Sequence, residues 1–352
     1  MVRRRVEVTG GVDTHKDTHT AAALDDAGRV LGTEQFATTR TGFTALLKWL
    51  RGFGTVRKVG VEGTGAYGAG LTRFLVQSGM TVIEVDRPDR KSRRSQGKSD
   101  PIDAISAARA ALAGNRTGTP KQRDGRVEAL RNLRVARRSA VDDRAVALRQ
   151  MHTLVITAVD EVRDQLRGLT AAALVKHCAT AVPNVAEVAD PGVAVVIALR
   201  SLARRHQQLT AEITELDKLI TPLVEVINPK LLQLNGVGPD TAGQMLVTAG
   251  ANTDRLRSEA AFSMLCGASP LPASSGKTDR HRLNRGGDRQ ANAALYRIVL
   301  SRLRWDPRTR AYVERRTKEG KSKKEIIRCL KRYIAREIYE LLNPPQPASS
   351  PG

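Results

Sequence analysis

The chain has 352 residues and carries 58 lysines and arginines against 36 acids, a formal net charge of +22. That length allows two or three domains with cores of their own. The charge points to nucleic acid before an anionic membrane, since no apolar run of spanning length and no lipidation signal accompanies it. Three cysteines, Cys178, Cys266 and Cys329, are too widely spaced for a disulfide framework or a zinc site, and with no signal core behind the basic Met1–Arg5 the protein is expected to be cytoplasmic.

Residues 6–36 read as three short strands, Val6–Asp13, His19–Leu24 and Val30–Phe36, close enough together for an antiparallel meander. A helix follows from about Thr41, with Phe43, Leu46, Leu47 and Leu50 at helical spacing. A strand ending at Glu62, a helix over 71–77 and a strand over 81–85 complete an alternation that suits a mixed α/β sheet with helices packed on it. Residues 86–99 are basic, polar and glycine-bearing, and Arg93, Arg94 and Lys98 suit a loop in contact with phosphate. An alanine-rich helix is expected from Asp100 to Gly114, then a linker to Gly125.

From Arg126 the chain turns to long helices. Their arginines gather on one side, and Arg134 and Arg138 are read as nucleic-acid contacts. Val195, Leu199, Leu202, His206, Leu209, Ile213, Leu216, Ile220 and Leu223 alternate four and three residues apart, a coiled-coil seam in which His206 is the polar register device. Pairing between subunits is preferred for this seam, with an antiparallel pair inside one chain as the other solution. Pro222 is expected to end or kink the helix.

Leu234–Ala242 reads as a helix-hairpin-helix, where Gly236 and Gly238 permit a tight turn whose amides face a phosphate. The loop that follows Gly267 holds Ser274 and Ser275, with Lys277, Arg282, Arg285 and Arg289 close behind. Such a loop either presents a hydroxyl to a phosphodiester, with arginines to neutralise the transition state, or is simply polar. Helices over 291–304, 307–316 and 323–342 close the chain before a proline- and serine-rich tail, 343–352, expected to be disordered. The domains expected are 1–114, 115–228 and 229–342.

Four acids stand out by context. Asp13 follows the first strand, Glu62 ends another, and Asp100 and Asp103 open a helix three residues apart, on one face. Singly, each is an ordinary surface carboxylate; together, two strand ends and a helix can converge on a pair of Mg²⁺ ions of the kind that clamps a phosphoryl transfer.

The ordered motifs Val12-Asp13-Thr14-His15-Lys16, Glu62-Gly63-Thr64-Gly65-Ala66-Tyr67, Lys98-Ser99-Asp100-Pro101-Ile102-Asp103-Ala104, Gly267-Ala268-Ser269-Pro270 with Ser275-Gly276, and Arg285-Gly286-Gly287-Asp288 run in sequence along nearly the whole chain. In them the chain resembles the DEDD transposases of insertion-sequence family 110, which are bridge-RNA-guided recombinases. The resemblance implies an N-terminal RuvC-like domain of the ribonuclease H fold, with Mg²⁺ on Asp13, Glu62, Asp100 and Asp103. It also implies a C-terminal transposase domain whose nucleophile falls on Ser275 rather than Ser274. Partners implied are donor and target DNA, a guide RNA, and further copies of the chain, a dimer assembling to a tetramer in which acids and serine come from different subunits. Two rivals remain: a RuvC-type junction nuclease that activates water, and a non-catalytic nucleic-acid-binding protein.

Overall fold

The computed structural model describes residues 6–85, 99–114, 117–274, 276 and 281–343. Expectations for Arg93, Arg94 and Lys98, for Ser275 and Lys277, and for the tail beyond Asn343 concern residues outside that set. The chain divides into two units, one built from residues up to Asp124 together with Ala249–Arg257, the other from Gly125–Thr248 and the residues from Ser258 onward.

The first unit is built on β1 (Glu7–Thr14), buried along most of its length. It pairs antiparallel with β2 (Thr18–Leu24), which pairs antiparallel with β3 (Val30–Ala37), giving the expected meander. On its other side β1 runs parallel to β4 (Thr55–Glu62), and β4 parallel to β5 (Thr81–Val85). A short β6 (Thr117–Gly118) pairs with β5 inside the stretch read as linker, so the sheet order is β3-β2-β1-β4-β5-β6. This mixed sheet is consistent with a ribonuclease H-like domain. Helix α1 (Arg40–Phe53) starts where the Thr39 hydroxyl accepts the Gly42 amide, and it buries the four apolar residues that set its period. With α2 (Ala69–Gln77) it closes the core around Val12, Leu46, Leu50, Val61 and Leu71.

The opposite face of the sheet is covered by α3 (Asp100–Ala113). Adjacent residues of a strand point to opposite faces, and Gly10 meets Leu50 of α1 while Gly11 meets α3. Gly11 and Gly60 stand opposite each other in the β1–β4 register. A Cβ at Gly11 would lie 2.1 Å from the Ala108 nitrogen and 2.4 Å from the Ala104 oxygen, and one at Gly60 would lie 2.7 Å from the Ala107 oxygen. Two glycines facing the alanine stripe of α3 therefore let the helix backbone rest on the strands, and this fixes how near its first turn comes to the ends of β1 and β4. Gly11→Ala is expected to lower the stability of this unit by about 3 kcal/mol, read as a reduced urea midpoint from Trp49 fluorescence in a Trp305→Phe background. Gly52, exposed in α1 with nothing within 4 Å of an added Cβ, is the control. Gly52→Ala is expected to stabilise by roughly 0.5–1 kcal/mol.

Residues 249–257 belong to this first unit through contacts of their own. The Asn252 side chain donates to the Pro120 carbonyl at 3.0 Å and accepts the Gln122 amide at 2.9 Å. Arg255, mostly buried, lies in the field of Glu84 on β5, whose carboxylate accepts the Thr64 hydroxyl.

The second unit starts with α4 (Gly125–Thr157), followed by α5 (Asp160–Leu166), α6 (Ala171–Thr180) and α7 (Pro191–Ile227). Helices α4 and α7 lie antiparallel: Arg137 binds Asp217 at 2.5 and 3.0 Å, Arg144 reaches Thr210, and Met151 and Val155 share a core with Leu199 and Ala203. Within the chain, α4 packs along α7, and Leu199, Ile213 and Ile220 of the seam are buried. His206 is half-buried in α7; burial and the Arg144 charge hold its imidazole below the ordinary range. The helix continues through Pro222 to Ile227 and so does not end there. A proline forfeits one backbone hydrogen bond, and the burial of Ile220 and Val224 on either side holds the turn together.

The rest of this unit is α8 (Pro239–Ala249), α9 (Glu259–Leu265), the two-strand ladder β7 (Leu271–Pro272) with β8 (His281–Arg282), and α10 (Arg289–Trp305), α11 (Pro307–Lys318) and α12 (Lys323–Leu342). Among the described residues no helix is long and apolar enough to cross a membrane.

Candidate active site

Asp13 and Glu62 are brought together by the parallel pairing of β1 and β4. The ladder runs to Val12 opposite Val61, so the next residue on each strand is the acid. The Thr14 hydroxyl donates to the Glu62 carbonyl at 2.8 Å and pins the two strand ends. Gly63, with φ 70°, then turns the chain away from β4. Asp100 and Asp103 lie in the first turn of α3, which Pro101 pre-sets and whose Asp103 amide donates to the Ser99 carbonyl at 3.0 Å.

Asp13, Glu62 and Asp103 are buried, at 8, 7 and 8% exposure, while Asp100 is more open. Burial pushes the Asp13 carboxyl above the ordinary carboxylate range. His15 pulls it back by charge and hydrogen bond, and the Asp103 and Asp100 carboxylates push it up again. Acids gathered this closely repel one another and favour a cation among them. One ligand atom each from Asp13, His15 and Asp100 lies within 4.8 Å of the others, two carboxylate oxygens and one imidazole nitrogen, a donor set that suits a divalent cation.

His15 is the residue to which the sequence assigned no role. Its Nε2 stands 3.1 Å from Asp13 and 3.5 Å from Asp100, between the strand end and the helix. The available signal was spacing: residues two apart at a strand end point the same way, so His15 follows Asp13.

In the second unit, two glycine motifs far apart in sequence meet at the base of the β7–β8 hairpin. Gly267 (φ 62°) and Gly287 (φ 83°) turn against each other's segments: a Cβ on Gly267 would lie 2.8 Å from the Gly286 oxygen, and one on Gly287 would lie 2.6 Å from the Leu265 oxygen. The Asp288 amide donates to the Leu265 carbonyl at 2.6 Å, and its carboxylate caps α10 through the Gln290 and Ala291 amides and accepts the Thr248 hydroxyl. Asn292 donates to the Cys266 and Gly267 carbonyls and accepts from Lys331. The hairpin that carries residues 273–280 therefore stands on a fixed base, with Arg282, Arg285 and Arg289 exposed around it.

Other basic and glycine positions are engaged within the protein. Arg134 donates to the Asp240 carboxylate and carbonyl at 2.7 Å and to Gln244, and its side chain is 11% exposed. Burial pushes the Asp240 carboxyl up, but Arg134, Arg297 and Arg137 outweigh it and hold the group below the ordinary range. Arg138, exposed, binds Asp142 and Gln290. Gly236 (φ 76°) packs against Ile298, Ser301 and Arg302 of α10, and the Gly238 amide donates to the Thr241 hydroxyl. The segment before this turn is a five-residue 3₁₀ stretch, Pro229–Gln233.

A family model described as a transposase of the IS110 DEDD type matches residues 10–158, and a second, described as "Transposase IS116/IS110/IS902 family", matches residues 228–314. A protein of Streptomyces coelicolor described as "Insertion element IS110 uncharacterized 43.6 kDa protein" is 31% identical over 146 residues, which cover 40% of this chain and 35% of that relative. The chain thus spans about a third of the length of the curated relative it matches. The first match contains the carboxylate cluster, the second contains the glycine-anchored hairpin, and they fall in the same chain order as the motifs: the chain belongs to the IS110 family of DEDD transposases.

Proposed function

We propose that this protein is the transposase of an insertion sequence, an enzyme that cuts and rejoins DNA strands under the guidance of a bridge RNA. Mg²⁺ is held by Asp13, Glu62, Asp100 and Asp103, and Ser275 is the nucleophile. The observation that supports the reading is that Asp13 lies in the field of Asp100 and Asp103 from the first turn of α3, while Glu62 ends the adjacent parallel strand. When bound, the dication supplies charge stabilisation to the oxygens of the reacting phosphate. The Ser275 oxygen forms a bond to phosphorus as the bridging P–O bond to the displaced sugar breaks; the serine proton leaves and the sugar oxygen takes one up. Rejoining reverses the exchange with a sugar hydroxyl as attacker, so no phosphodiester energy is lost to water. The hairpin arginines Arg282, Arg285 and Arg289, with Lys277, neutralise phosphate charge, and Arg93, Arg94, Lys98, Arg138 and the turn at Gly236 and Gly238 contribute along the nucleic-acid path. Copies of the chain assemble as dimers and tetramers that bring acids and serine together.

Mg²⁺-dependent formation of a protein–DNA adduct, seen on denaturing gels of end-labelled DNA, tests the whole. Cutting without an adduct would instead identify a hydrolytic RuvC-type nuclease, and binding without cutting a nucleic-acid-binding protein. A charge of +22 also predicts steep salt dependence. Affinity for DNA is expected to fall roughly a thousandfold between about 50 and 200 mM salt if some six phosphates are neutralised, measured by fluorescence anisotropy. A flat profile would rule out a phosphate-dominated interface.

A further inference from the structure

A cleft of about 730 Å³ in the second unit is walled by the β7–β8 hairpin on one side and by α12 on the other. Its size falls among ligand pockets, about 300–1,000 Å³, and suits a segment of one strand rather than a duplex. The lining carries more cations than anions. Arg316 and Arg332 are held by Glu319 and Glu259, and Glu325, the one acid of the lining, is turned into the capping box of Ser322, with Lys321 and Arg328 in its field. Arg282, Lys321, Arg328 and Lys331 form no ion pair among the described residues.

Lys331 is the telling member. It is 7% exposed, yet its ammonium meets a neutral partner, the Asn292 amide oxygen at 2.8 Å. A cation buried against an amide alone is costly, and an anion brought over it offsets the cost. Burial and the neighbouring Arg328 also pull the Lys331 pKa down, a second sign of a missing negative charge. Tyr333, 45% exposed, adds an aromatic ring to the same wall.

We propose that this cleft seats one or two nucleotides of single-stranded DNA, with phosphates against Arg282, Lys321, Arg328 and Lys331 and a base on Tyr333. That the strand is DNA, and the one under attack, rests on the reading of the hairpin as the carrier of the nucleophile, because the hairpin that forms one wall also holds residues 273–280. Stacking on a ring is tolerant of base identity, and phosphate contacts are tolerant of sequence, so the cleft holds a strand without selecting it.

The full chain contains its own reporter. Cys329 lines the cleft and is partly accessible, while Cys178 and Cys266 are buried. Alkylation of Cys329 by iodoacetamide, followed by mass spectrometry, is expected to slow at least tenfold with a mixed-sequence 12-nucleotide DNA, and not with the blunt duplex. Protection should fall in Tyr333→Leu by about tenfold in required DNA concentration and persist in Tyr333→Phe. In Arg282→Gln/Lys321→Gln/Arg328→Gln the slope of log affinity against log salt should drop by about 1, for one or two lost phosphate contacts on a single strand. The control Arg304→Gln/Arg315→Gln/Lys318→Gln, outside the lining, should match the wild type in protection. Equal protection by duplex, protection by the same-sequence RNA but not by DNA, protection that survives the triple substitution, or none at all would overturn the assignment. The assay needs no strand cleavage, so its outcome is read apart from that of adduct formation.

Discussion

Ser275→Ala is expected to bind RNA and DNA as the wild type does and to form no protein–DNA adduct, a loss below detection on a gel that resolves one part in a thousand. A serine hydroxyl is a weak nucleophile at its free pKa, and activation has to come from a neighbouring base or a metal. His281 is exposed at the start of β8, and the Asp288 carboxylate is spent on capping α10 and accepting Thr248. In the reading proposed above, the carboxylate site of the first unit would supply the activation. Mixing Ser275→Ala with Asp13→Asn protein is expected to restore part of the adduct, since each variant supplies the half the other lacks if subunits share a site. An adduct that persists in Ser275→Ala and disappears in Ser274→Ala would move the nucleophile by one residue.

Asp103→Asn is expected to reduce strand cleavage by roughly a thousandfold or more, the several kcal/mol of charge stabilisation that a bound dication provides, with nucleic-acid binding retained. Recombination near the wild-type rate would remove Asp103 from the ligand set. The same cluster predicts an opposite effect on stability. Burial and two neighbouring acids hold the Asp13 carboxyl above its ordinary range, so the folded state binds its proton more tightly than the unfolded state. Stability is then lost as pH rises through that window. Without metal, Asp13→Asn should melt above the wild type at neutral pH, and the gap should close in acid. Added Mg²⁺ should raise the melting temperature of the wild type and leave that of the variant unmoved.

Most of the first unit was legible because its elements carry their own punctuation. Phe43, Leu46, Leu47 and Leu50 mark a helix by spacing alone, and the acids sit where strands end and a helix begins. What stayed hidden depends on partners distant in sequence. Arg134 reads as one of a run of solvent-facing arginines, and only the arrival of Asp240 turns it into an internal brace. The seam of α7 cannot name the helix that fills it, and α4 supplies the answer through residues such as Ala140 and Ala147, too small to register as an apolar stripe. Pro222 has the chemistry of a stop, and neighbouring burial overrides it. Nothing local in Asn252 or Arg255 says that they answer to Pro120 and Glu84.

That last connection has a consequence for the order in which the protein is made. The boundary between units is crossed at residues 124/125, 248/249 and 257/258. The ribosome therefore releases the strands and acids of the first unit early, but Asn252 and Arg255, which complete its far edge, emerge only after the long helices of the second. Domains generally fold as units in the order of synthesis, and here the contacts of Asn252 with Pro120 and Gln122 form only once the long helices are out. A chain cut short after the carboxylate motifs and β6 holds all six strands of the sheet but lacks those contacts at its edge.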